Sequence, residues 1–135
     1  MLQFGIAYLA AACAFLGADV LWLNHAMAFY RHSLGDVLAE KPNLAAAAAL
    51  YLIYFVGIVV FAVLPAIKND GWTAAVLLGG LLGLVAFATY DLTNLATLRR
   101  WPLAVAIVDL SWGTFVTALA SLAGFFAVKT MGAVG

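Results

Sequence analysis

Residues 73–98 read TAAVLLGGLLGLVAFATYDLTNLATL, and this stretch decides the fold. It runs past the roughly 20 apolar residues that a helix needs to cross a bilayer. Asp91 is its only charge. Three further apolar stretches flank it, at about residues 4–30, 44–67 and 103–129. Each is long enough to span. Helices are the expected solution, because lipid offers no partner for free backbone groups and a barrel would show short alternating strands. The expectation is an all-α, integral membrane four-helix bundle with short connections, forming a single transmembrane domain over residues 1–135.

Composition agrees. Of 135 residues, 67% are hydrophobic and only 9% are charged, with a mean hydropathy of +1.12. A soluble domain carries about 25% charge. Net charge is +0, so the chain has no basic footprint for nucleic acid. Met1-Leu2-Gln3-Phe4 lacks a basic lead-in, so the first stretch reads as a true span rather than a cleavable signal. The lone Cys13 reads as a small buried hydrophobe.

The connections carry their own signals. In RHSLGDVLAEKPN, Leu34, Val37 and Leu38 are spaced for one face of a short interfacial helix. Pro42-Asn43 reads as a helix start, Asn69-Asp70-Gly71 as a tight turn, and Trp72 as an interface anchor. Pro102 suits the first turn of the last helix. Arg31, Lys41, Arg99 and Arg100 fall on one side of the membrane, against Lys68 and Lys129 on the other. The positive-inside rule places the four-cation side in the cytoplasm and the termini on the non-cytoplasmic side. Four against two is a small bias, and dual insertion stays open.

Three aspartates mark a site: Asp19, Asp91 and Asp109 all fall inside spans. A charge at the bilayer centre costs roughly 2.5–3.5 kcal/mol even on the mild insertion scale, so such residues face an interior or a wet cavity. Under the assumed topology all three lie in the same half of the bilayer. In the third span, Gly79, Gly80, Gly83, Phe87, Tyr90, Asp91, Asn94 and Thr97 share an arc of roughly 120°. Its close-packing face is therefore also its polar face. Gly113, Thr117, Ala120 and Gly124 make a similar small-residue stripe in the fourth span. Asp19-Val-Leu-Trp22 and Asp109-Leu-Ser-Trp112 are both D-x-x-W, which sets each indole beside its own acid. Tyr51 and Tyr54 enter the same layer from the second span.

The candidate residues for binding or proton relay are Asp91, Asn94, Tyr90, Asp19, Asp109, Trp22, Trp112, Thr97 and Tyr54. Asp91 stands first because it sits in the densest polar motif. Three functions fit. The first is transport or conduction of a small solute, coupled to protons through the carboxylates. The second is an enzyme or binding protein acting on a lipid or isoprenoid. The third is a non-catalytic module working through a partner, with the acids only fixing helix register. No D-D-x-x-D, H-E-x-x-H or His-rich box is present, so no metal or cofactor is named. The expected partners are the lipid bilayer, a small-molecule or lipid ligand, and a second copy of the chain.

Tyr90-Asp91-Leu92-Thr93-Asn94-Leu95-Ala96-Thr97-Leu98, with Asp19-x-x-Trp22-Leu23 and Trp112-Gly113, resembles an uncharacterised bacterial four-span membrane family. That family is known as domain of unknown function twenty-one seventy-seven. The resemblance covers essentially the whole chain. It implies a multi-pass protein of the bacterial inner membrane, and no particular activity.

Overall fold

The computed structural model describes residues 1–69 and 71–131. Four long helices account for nearly all of them: α1 (Leu2–Leu34), α2 (Leu44–Lys68), α3 (Trp72–Thr97) and α4 (Leu103–Thr130). All four are long and apolar enough to cross a membrane. The protein is an all-α membrane bundle.

The helix ends follow local chemistry. The Asn43 side chain accepts from the Ala46 N–H at 3.0 Å and so caps α2. Pro102 occupies the cap position of α4, where a missing N–H costs nothing. Asp70 lies outside the described residues of the expected Asn69-Asp70-Gly71 turn. Around it, the Asn69 N–H bonds the Pro65 carbonyl and the Gly71 N–H bonds that of Ala66.

The expected interfacial helix does not form. Instead α1 continues beyond the expected boundary at Tyr30 and ends at Leu34, where the Gly35 N–H closes onto the Arg31 carbonyl. Leu34 is buried against Trp101 and Val105, whereas Val37 and Leu38 stand exposed in a turn. The hydrophobic spacing there belonged partly to the end of α1. Pro42 also disfavours helix at the residue before it.

Inside α2, Val59–Val63 widens into one π-helical turn, with the Leu64 N–H bonded to the Val59 carbonyl. Pro65 follows immediately and has no N–H to return to the preceding turn. The wider turn accommodates that loss.

Between helices in lipid, apolar burial drives little, because lipid tails are as apolar as leucine; close packing and hydrogen bonds hold the bundle instead. The α3–α4 seam shows the packing. A Cβ at Gly79 would sit 2.7 Å from the Ser121 Cβ and 3.0 Å from the Thr117 carbonyl oxygen. A Cβ at Gly83 would fall 2.8 Å from the Thr117 side chain and nearer still to the Gly113 carbonyl. Gly113 in turn lies under the Phe87 ring. Further along the same stripe of α4, Gly124 admits Val63 and the Ala7 carbonyl. Ala7, Ala11 and Phe15 of α1 share the core with Val116, Ala120 and Val128 of α4. The two small-residue stripes are packing faces, and the outward leucines, among them Leu9, Leu77 and Leu81, form the lipid face.

Candidate functional site

The seam between α1 and α4 carries most of the polar chemistry. Asp19 accepts from the Tyr51 hydroxyl at 2.8 Å and from the Trp112 indole N–H at 3.2 Å. Trp22 donates its indole N–H to the Tyr30 oxygen at 3.2 Å, and the Tyr30 hydroxyl donates to Asp109. The Trp22 and Trp112 rings stack, with centroids 4.7 Å apart and planes 8° from parallel. The two D-x-x-W motifs therefore meet. However, neither indole bonds the acid of its own motif: Trp112 reaches across to Asp19, and Trp22 reaches Tyr30.

Around these acids the bundle forms a half-open cavity of about 420 Å³. Phe15 and Asp19 come from α1 and Asp109 from α4. Leu50, Tyr51 and Tyr54 come from α2, and Ala86, Phe87 and Tyr90 from α3. Its size falls within the roughly 300–1,000 Å³ of small-molecule sites. Phe15 meets Tyr51 and Tyr54 edge-on, with centroids 5.9 and 5.6 Å apart. The Tyr54 and Thr117 hydroxyls lie 2.7 Å apart and pin α2 to α4. The most exposed lining residues are Leu50, at 62%, and Tyr90, at 57%. They stand on α2 and α3, so the mouth opens sideways between those helices. Tyr90 lies seven residues before the end of α3, roughly 10 Å along the axis at 1.5 Å per residue. The mouth is therefore inside the span.

Asp91 is not part of the cavity wall. It is completely buried on the glycine face of α3. One carboxylate oxygen accepts from the Trp101 indole N–H at 3.2 Å. The other, Oδ2, is buried with no donor. Its carboxyl group lies within hydrogen-bonding reach of Asp109. Trp101 is itself buried and meets Tyr90 edge-on at 5.6 Å.

The remaining candidates are less engaged. Asn94 is half-buried one turn past Tyr90 and interacts with its hydroxyl. Thr97 is exposed and bonds the Thr93 carbonyl at 2.7 Å, so it stays outside the site. His25 is exposed and its Nδ1 lies 2.8 Å from the Leu21 carbonyl. Cys13, expected to be buried, is a free thiol on the outer face of α1. Among the described residues no group of three His, Cys, Asp or Glu side chains could hold a metal ion.

Two hydrogen-bonding residues of the site, Tyr30 and Trp101, escaped the sequence reading. Both sit near span ends, where an aromatic ring reads as an interface anchor. No periodic signal could have found them, because Tyr30 and Asp109 stand on different helices and Trp101 lies in a connection, whereas periodicity relates residues of one helix.

Neither a curated protein nor a solved structure matches the chain. A family model does, over residues 4–126, under the description "Predicted membrane protein (DUF2177)". With the four spanning helices in place, the match covers most of the chain, which therefore belongs to that membrane protein family.

Proposed function

We propose that the protein binds a small organic cation with an apolar body in the cavity and carries it across the bilayer. The observation that carries this reading is the pairing of two carboxylates, Asp19 and Asp109, with tyrosine rings in one chamber. Asp19 is held by two donors, and both are neutral groups. Hydrogen bonds of that kind stabilise a carboxylate without cancelling its charge. A cation would supply the missing countercharge. The faces of Tyr51, Tyr54 and Tyr90 would add cation–π attraction, about 0.5–2 kcal/mol for each well-placed ring.

The apolar share of the wall, from Phe15, Leu50, Ala86 and Phe87, suits the body of such a solute. The sideways mouth favours entry from the lipid, where apolar cations concentrate. The same mouth supports a second reading, a lipid- or isoprenoid-derived amphiphile as the ligand, acted on or merely bound. Both readings need the chamber, and a charge requirement separates them. In a bacterial inner membrane with the termini outside, the chamber lies in the half nearer Arg31, Lys41, Arg99 and Arg100.

Uptake of tetraphenylphosphonium into proteoliposomes under an outward proton gradient tests the transport reading. Uptake above that of protein-free liposomes, lost in Asp19→Asn, is the expected outcome. Uptake that is unchanged in that variant would contradict it.

A further inference from the structure

The geometry points to a second functional site behind the chamber: Asp91 and Asp109 share one proton, and a cation entering the chamber displaces it. The release step rests on the chamber reading above. The shared proton does not.

The two carboxyl groups are short of hydrogen-bond donors. Among the described residues, Asp91 Oδ2 is fully buried and receives no hydrogen bond, while Oδ1 takes the Trp101 N–H. A buried carboxylate oxygen without a donor is a strongly disfavoured state. The group within its reach is another carboxyl, Asp109, which also has no proton to give when ionised. One proton between the two satisfies the orphaned oxygen and removes the repulsion of two like charges in contact. The groups facing the pair leave no other source. From α1 comes the Tyr30 hydroxyl, already donated to Asp109. From the α3–α4 connection comes Trp101, already donated to Oδ1. On α3 itself stands Tyr90, which turns its exposed ring to the chamber. Among the described residues, the side chains acting on Asp91 are those of Asp109 and Trp101.

Charge accounting carries the second half. Asp109 belongs to both places, since it lines the chamber and touches Asp91. With its proton the pair carries one negative charge. When a monovalent cation settles against Asp109, the pair gives up its proton to the aqueous phase. The pair and the ligand together then again carry one negative charge. Exchange of one proton for one cation leaves the buried charge unchanged. That is the low-cost path in a medium where an uncompensated charge is expensive. Asp91, set off the chamber wall, would hold the proton without touching the ligand.

The test has two arms. Infrared difference spectroscopy of the purified wild-type protein at neutral pH should show the C=O stretch of an un-ionised carboxylic acid. That band should shift in Trp101→Phe and vanish in Asp91→Asn. Calorimetric titration with tetraphenylphosphonium, in buffers of different ionisation enthalpy, should show about one proton released per ligand in the wild type. Asp91→Asn should bind with that release lost. Wild-type protein without the carboxylic acid band would overturn the proposal even if the ligand binds. A band present without ligand binding would overturn the release step together with the chamber reading. Release that persists undiminished in Asp91→Asn would assign the proton elsewhere.

Discussion

Trp22 and Trp112 stack face to face, with ring centroids 4.7 Å apart, and so join the two D-x-x-W motifs across the α1–α4 seam. The stack fixes the two helices in depth. With the seam in register, the Trp112 N–H meets Asp19 and the Tyr30 hydroxyl meets Asp109. A slip of one turn would part both pairs and strand two acids in the membrane. The polar links therefore specify the seam at the level where the chamber forms.

Trp112→Phe keeps an aromatic ring in the stack and removes only the donor to Asp19. Losing one partner of a half-buried carboxylate should cost about 1–3 kcal/mol of stability. Unfolding of the variant in mixed micelles measures it. Tyr51 remains as a second donor to Asp19, so the low end of that range is expected.

Gly83→Ala forces a methyl against the Gly113 carbonyl and the Thr117 side chain. Backbone is a poor yielder, so the α3–α4 seam must open, at about 1–3 kcal/mol or more. Gly17→Ala is the control, since nothing lies within 4 Å of an added Cβ there. It should leave stability within about 0.5 kcal/mol or raise it slightly, as alanine favours helix. Thermal unfolding in detergent separates the two. Equal effects would contradict the packing described.

Tyr54→Phe removes the hydroxyl paired with Thr117 at 2.7 Å. Hydrogen bonds between membrane helices are worth about 0.6 kcal/mol on average and 1.7 at most. The variant should lose stability in that range. A Tyr54→Phe, Thr117→Val double variant should lose less than the sum of the singles, because each change removes the same bond.

The spans were legible in the sequence because length and hydropathy alone impose them. The caps were legible where one residue acts locally, as at Asn43 and Pro102. The face of α3 was legible in part: Gly79, Gly83 and Asp91 share one arc and are buried, whereas Tyr90 and Thr97 of the same arc stand exposed. Cross-helix partners were not. The i to i+3 spacing set Trp112 beside Asp109, yet its N–H crosses to Asp19, because the register of α1 against α4 decides which acid lies opposite. Trp101 follows Arg99 and Arg100 between two spans, and only the fold shows it tucked against Leu34 and Asp91. Asp91, foremost in the sequence motif, stands behind the chamber, and Asp19 and Asp109 form its wall.

Occupancy of the chamber by a cation can be read from equilibrium binding. Purified protein in detergent is titrated with tetraphenylphosphonium, and the same titration is run on Asp19→Asn. The wild type should bind saturably and the variant at least tenfold more weakly, a loss of about 1.4 kcal/mol or more. Absence of saturable binding, or equal affinity in the two proteins, would contradict it.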